Sequence, residues 1–210
     1  MLPGPTKFYE CPTCKVLLSN HSLLSGNSFG EKVYSDGKRD AFMLPDFPIL
    51  TKCTRCSTFV WLYKIKRIEK KTEELSKEEL IDARWVDFLT IYEYLTVLKN
   101  NYYENEEEEI FIRKRILWGF NDRVREKKPI FNSKEDKNIW EANVYKLKYL
   151  IDCSIEPDDL ILNAELSRNL GDFEKCKYTL IILNRPKDDW LVNAFHRECN
   201  LKNTAVFQLN

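Results

Sequence analysis

The sequence predicts an α+β chain in which a small β-module built around paired cysteines precedes an all-α domain of helical hairpins. Three observations carry that expectation. Cys11-Pro-Thr-Cys14 and Cys53-Thr-Arg-Cys56 are each followed by a run rich in branched or aromatic residues, "KVLL" and "STFVWLY", and such runs favour strands. From about residue 67 Lys, Glu, Leu and aromatic residues dominate while Gly and Pro become scarce. Helix-start signals then recur along that second stretch. The expected boundary lies between residues 1–66, the cysteine module with an inserted β-hairpin, and residues 67–210, the helical domain.

A chain of 210 residues suits one large domain or a small module joined to a larger one. Its 43% hydrophobic and 13% aromatic content fits a folded protein. Lys and Arg number 33, as do Asp and Glu, so no global field draws the chain to nucleic acid. Residues 1–66 hold nine Lys/Arg against five Asp/Glu, a weak local excess that four metal-bound thiolates would about halve. Seven cysteines are an odd number, and the opening "MLPGPTKFYECP" lacks the charged and apolar regions of a secretory signal. Reduced cysteines and a cytoplasmic location are expected rather than a disulfide framework. No apolar run approaches the roughly 20 residues that span a bilayer.

Between Cys14 and Cys53 lie 38 residues, enough for an inserted hairpin. "GEKVYSDGKRDAFM" supplies it: Asp36-Gly37 stands between short stretches holding Val33, Tyr34 and Ala41, Phe42. Gly accepts the positive φ that tight hairpin turns require. Pro45 and Pro48 then hold the returning chain extended. "SKEEL" is a capping box, Ser76 with Glu79, ahead of Trp85, Phe88, Leu89, Tyr92 and Leu95 at helical spacing. One helix ending near Asn100-Asn101 is expected there. "NEEEEI" places carboxylates at the positive end of the next helix, which continues through "FIRKRILWGFNDRVREKK" and stops before Pro129. A third helix follows in "DKNIWEANVYKLKYLID". Two more flank Gly171-Asp172, the second closed by Pro186, and a last one in "DDWLVNAFHREC" covers the end of the stack. The charged "KRIEKKTEEL" reads as a linker or a further helix.

The Cys-x-x-Cys pairs admit two chemistries. A redox pair needs a βαβ setting that lowers the first thiol's pKa, whereas here two pairs lie close in sequence and each precedes a strand. Together Cys11, Cys14, Cys53 and Cys56 supply the four soft ligands of tetrahedral zinc, one structural Zn²⁺ per chain in a closed site. Redox or iron–sulfur use is the alternative. The pattern is similar to the zinc ribbon family, whose four ligands these cysteines match. Lys15 and Ser57 depart from it, because glycine often follows the second cysteine.

Other motifs carry less. His21 is a fifth candidate ligand and, more simply, a loop histidine. "GNSFG" at 26–30 copies a nucleophile elbow without room for the strand, helix and sheet that the elbow needs. Cys153, Cys176 and Cys199 recur 23 residues apart and read as core residues. Trp118, Asp122 and Arg125 fall on one side of a helix, either as a core aromatic beside a surface ion pair or as a partner-contact patch, for which Trp and Arg are typical anchors. Six glycines form no phosphate-binding loop, and two histidines make no zinc-protease motif. No catalytic constellation is found.

The segment around Gly171 resembles a tetratricopeptide repeat, with Leu160, Ala164, Gly171, Phe173 and Cys176 at its packing positions and Asn163 and Ser167 departing from it. The whole chain, through "SLLSGNSFG", "YSDGK" and "WGFNDRVR", resembles a group of uncharacterised bacterial proteins with an N-terminal zinc ribbon and a tetratricopeptide-like C-terminal region. That resemblance implies an architecture and a bacterial origin, and no activity. The expected function is a non-enzymatic zinc-binding adaptor that engages a protein partner through its helical domain. The alternative is nucleic-acid binding by the basic face of residues 15–66, with Lys38, Arg39, Lys52 and Arg55 as contacts. Neither a membrane nor a small-molecule substrate is expected.

Overall fold

The computed structural model describes residues 1–69, 72–183 and 189–209. In chain order the strands are β1 (Leu2–Pro3), β2 (Lys7–Glu10), β3 (Leu17–Asn20), β4 (Leu23–Ser25), β5 (Lys32–Val33), β6 (Arg39–Asp40), β7 (Leu50–Lys52), β8 (Phe59–Trp61), β9 (Arg67–Ile68) and β10 (Arg84–Trp85). A short 3₁₀ turn, Thr72–Glu74, and helix α1 (Lys77–Asp82) precede β10. Among the described residues six helices follow: α2 (Ile91–Lys99), α3 (Glu106–Arg125), α4 (Lys134–Ile151), α5 (Pro157–Asn169), α6 (Phe173–Leu183) and α7 (Asp189–Asn200). The architecture is α+β, with small N-terminal sheets and a C-terminal helical region. Among the described residues no helix is long and apolar enough to cross a membrane.

The chain forms two compact units, and the division differs from a boundary at residue 66/67. One holds Met1–Glu31 with Ala41–Tyr102; the other holds Lys32–Asp40 with Tyr103–Asn210. The hairpin expected inside the cysteine module therefore belongs to the helical unit, and the first two helices belong to the cysteine unit. The physical reason for the first exchange is Asp36, a fully buried carboxylate whose partners lie on α3.

In the cysteine unit β2 pairs with β3 and with β9, both antiparallel, and β10 adds in parallel beside β3. β7 and β8 form a separate antiparallel pair. Val16, Leu18, Val60 and Leu62 pack with Cys11 and Cys53 into one buried cluster. The expected single helix over residues 76–100 is two. Ser76 and Glu79 form the expected capping box, but α1 ends at Asp82, because the backbone of residues 84–86 joins the sheet through β10 and through Val86 N–H donating to Ser19 O at 3.0 Å. A second capping box, Thr90 with Glu93, restarts the helix as α2. Trp85 and Phe88 accordingly stay partly exposed, not aligned with Tyr92 on one helix face.

In the helical unit each helix packs on the next from α3 to α7. Asn105 caps α3, whose first turn carries four glutamates, and the helix ends at Arg125 ahead of Pro129. Gly171, at φ 81°, makes the turn between α5 and α6. Ala164, Cys176, Leu180, Leu191, Phe195 and Cys199 form the core shared by α5, α6 and α7, so two of the evenly spaced cysteines are core residues while Cys153 is exposed. Helix α5 is buried around most of its circumference, including Asn163, Glu165, Ser167, Arg168 and Asn169. Pro186, expected to close α6, lies outside the described residues, as do Lys70 and Lys71 of the charged segment.

Candidate metal centre

The two Cys-x-x-Cys turns are built alike. In the first, Cys11 N–H donates to Val16 O and Lys15 N–H to Cys11 O, each at 3.0 Å. In the second, Cys53 N–H donates to Thr58 O at 2.9 Å and Ser57 N–H to Cys53 O at 2.8 Å. Hairpins β2–β3 and β7–β8 carry one turn each. In each turn the residue after the second cysteine, which donates the closing bond, enters the left-handed region. Lys15 and Ser57 do so, at φ 62° and 61°. The two residues that depart from the ribbon pattern in type thus hold the backbone conformation that glycine favours.

All four cysteine sulfurs lie within 4.8 Å of one another. Cys11 Sγ is 3.6 Å from Cys56 Sγ, and Cys14 Sγ is 3.7 Å from Cys53 Sγ. Tetrahedral bonds of about 2.3 Å to one central ion would place sulfurs roughly 3.8 Å apart. The chemistry and spacing of the donor set therefore fit a single tetrahedral ion. Cys11 and Cys53 are fully buried and Cys14 and Cys56 half-buried, so protein covers one side of the site.

Burial pushes the Cys11 thiol up and drives that of Cys53 up to about 12. Cys56 is lowered to about 6, chiefly by the hydrogen bond with the Thr58 side chain and then by the Thr58 backbone. The Thr58 hydroxyl lies 3.2 Å from Cys56 Sγ and 3.0 Å from Thr13 Oγ1, linking the two turns through their threonines. Without an ion, two buried thiols resist ionisation; a bound cation would supply the charge that lets both lose their protons.

His21 is not among the clustered ligands; it stacks on Trp85, ring centroids 4.3 Å apart. Ser28 of "GNSFG" sits in an exposed turn, with Glu31 N–H donating to Ser28 O and no helix following.

Trp118, Asp122 and Arg125 lie together on α3, and what they hold is the chain's own hairpin. Trp118 Nε1 donates to Asp36 O at 3.0 Å, and Asn121 Nδ2 to Asp36 Oδ2 at 2.8 Å. Arg125 donates to the same Asp36 oxygen and to Asp122 Oδ1, and its guanidinium lies over the Tyr34 ring. Lys38 pairs with Asp122 at 2.6 Å. "YSDGK" and "WGFNDRVR" are thus two halves of one contact.

The four candidate nucleic-acid residues are divided between the units, Lys38 and Arg39 in the helical one and Lys52 and Arg55 in the cysteine one. Besides Lys38, Lys52 pairs with Glu93 at 3.1 Å and Arg55 with Asp82 at 3.6 Å.

Sequence reasoning missed a buried polar cluster on α5. Glu165 and Arg168, both fully buried, pair with each other, and Ser35 Oγ donates to Glu165 Oε1 at 2.9 Å. Burial raises the Glu165 carboxyl even beside that guanidinium. Glu and Arg three apart on a helix read as an ordinary surface pair; the apolar residues on both sides, Leu162, Ala164 and Leu166, were the available signal. Asn163 and Ser167 belong to a second polar contact, in which Lys148 reaches them at 2.5 and 2.9 Å. No family model matches the chain, and no curated protein or solved structure matches it either.

Proposed function

We propose that the protein is a non-enzymatic adaptor, with a zinc ribbon in its cysteine unit and a tetratricopeptide-like helical unit that engages a protein partner. The observation that carries this reading is the four-sulfur cluster held by two matched turns. Four thiolates fill every position of tetrahedral zinc and leave none for a substrate, which makes the ion structural. A β-unit whose longest strands have four residues gains its stability from such a staple. Thiols kept for a metal suit a cytoplasmic setting.

The helical unit supports the partner half of the reading. Tyr145 and Tyr149 on α4, Tyr178 and Ile181 on α6 and Trp190 on α7 are exposed, and aromatic residues are the usual anchors of protein contacts. Affinity capture from a native lysate, with and without nuclease, tests it. Proteins retained after nuclease, and lost on simultaneous Tyr145→Ala and Tyr178→Ala substitution, are the expected result. Retention only of nuclease-sensitive material contradicts it and favours the basic residues.

A further inference from the structure

Lys148 is a half-buried ammonium held without a counter-charge. Its Nζ donates to Asn163 Oδ1 at 2.5 Å and to Ser167 Oγ at 2.9 Å, both on α5, and an ammonium has a third N–H to give. Among the described residues no carboxylate lies within ion-pair distance of Lys148 or of Lys175 on α6, whereas Lys137 and Lys177 on the same two helices pair with Glu141 and Glu174. The two acids nearby are engaged elsewhere. Asp152 Oδ1 accepts from Asn163 Nδ2 at 3.2 Å, and Asp172 Oδ1 from the Lys175 N–H at 3.0 Å. Burial lowers the pKa of Lys148; Asp152 opposes that and Lys175 adds to it, so the two lysines share one field. A charge with only neutral partners is costly to bury, and an anion at its remaining N–H would offset that cost.

What surrounds Lys148 selects the kind of anion. On α4 Tyr145, Lys148 and Tyr149 share a face at helical steps, and on α6 Lys175, Tyr178 and Ile182 do the same. Both helices pack against α5, whose Asn163 and Ser167 are buried. The three tyrosines and Ile182 are exposed. Residues 103–210 hold 18 Lys/Arg against 20 Asp/Glu, yet residues 142–151 and 175–183 hold four lysines and no acid. A nucleic acid needs a track of exposed cations for its closely spaced phosphates, and the exposed Asp152 and Asp172 would repel such a chain. One ammonium seat among tyrosines is instead the complement of a single carboxylate with apolar neighbours.

We propose that the face between α4 and α6, centred on Lys148, binds an acidic segment of a partner protein, one carboxylate seated on Lys148 and Lys175 and the adjoining apolar side chains against Tyr145, Tyr149 and Tyr178. This deepens the adaptor reading, on which it rests, by placing the partner's charge on the tyrosine-bearing face of that reading. The carboxylate brings charge-assisted hydrogen bonds to the centre of the contact. The tyrosines around it exclude water, which strengthens the pair they enclose.

The probe is a fluorescent, end-blocked peptide of sequence EELLEE, titrated into the full chain beside QQLLQQ, which keeps its shape without the charge. Wild type is expected to bind EELLEE saturably and QQLLQQ at least about tenfold more weakly. Lys148→Gln should lose at least about tenfold in affinity for EELLEE, and Lys175→Gln, at an exposed position, about two- to fivefold. Lys137→Gln removes a charge already paired on α4 and should bind as wild type does. Equal binding of the two peptides overturns the proposal, as does wild-type affinity in Lys148→Gln with a native far-ultraviolet spectrum. Should Lys148→Gln not fold, the exposed Lys175→Glu decides: loss of about tenfold or more supports the site, and unchanged affinity overturns it. Displacement of EELLEE by a single-stranded oligonucleotide that binds more tightly overturns it in favour of nucleic acid. A protein captured from lysate and lost on the Tyr145→Ala and Tyr178→Ala substitutions, yet retained equally by wild type and Lys175→Glu, also overturns it while leaving the adaptor reading in place.

Discussion

Lys15 and Ser57 occupy the same step of the two cysteine turns, with φ of 62° and 61°, and glycine at either position should tighten the metal site. A left-handed backbone costs an L residue roughly 1–2 kcal/mol. Glycine removes that cost and gives back roughly 0.5–1 kcal/mol by freeing the unfolded chain, leaving a net gain of about 0.5–1 kcal/mol per site. The turn-closing bonds, Lys15 N–H to Cys11 O and Ser57 N–H to Cys53 O, use backbone groups that glycine keeps. Lys15→Gly also loses the 3.5 Å pair with Glu10, in which the lysine side chain is 67% exposed, and such pairs contribute little. Because ion binding and folding of such a site are one equilibrium, each gain should appear as about 2–5-fold tighter retention of the ion. The assay is competition with a chelator of known affinity, run beside Lys15→Ala and Ser57→Ala, since alanine keeps the left-handed cost. Gly variants that hold the ion no better than the Ala variants would refute the reasoning.

Two other perturbations have outcomes that follow from single contacts. Arg125→Ala leaves the buried Asp36 carboxylate with Asn121 as its remaining side-chain partner on α3. Breaking a buried pair in this way costs about 3–5 kcal/mol, so the urea midpoint followed by helical circular dichroism should fall sharply; a change below about 1 kcal/mol would count against the pairing. Glu93 caps α2, and its carboxyl is held below the ordinary carboxylate range chiefly by the Thr90 N–H, and further by Lys52. A depressed carboxyl means that the unfolded chain takes up the proton first on acidification. The stabilisation is therefore complete at neutral pH and is lost as pH falls through the folded value. Wild type should exceed Glu93→Gln in thermal stability at pH 7, and the gap should close on acidification; a gap that widens toward acid contradicts the capping role.

Local features of the fold were legible where local chemistry decides them. Paired cysteines before branched and aromatic runs marked the sulfur cluster, Asp36-Gly37 marked the hairpin, with Gly37 at φ 78°, and the glutamates after Asn105 marked the start of α3. Non-local features were not. Asp36 is a turn residue by its pairing with Gly37, yet its carboxylate also belongs to Arg125 and Asn121 across more than eighty positions of chain. That pairing carries the hairpin out of the cysteine unit. The division of residues 76–100 into two helices came from a backbone edge at β3 that can accept another strand, and periodicity does not register such an edge. The site shows the same contrast. The four clustered cysteines could be named from spacing, whereas the left-handed turns at Lys15 and Ser57 and the buried Glu165–Arg168 pair depend on backbone conformation and on what covers a helix.

The metal reading meets its most direct test in metal content. Protein purified without added metal should carry one zinc ion per chain. Cobalt exchanged into the site should show the visible bands of tetrahedral thiolate coordination if the four clustered sulfurs hold the ion. Both signals should persist when Cys153, Cys176 and Cys199 are replaced by alanine, and both should vanish in Cys53→Ser. Protein that binds no metal under reducing conditions, or that keeps a full equivalent after Cys53→Ser, contradicts a structural zinc held by Cys11, Cys14, Cys53 and Cys56.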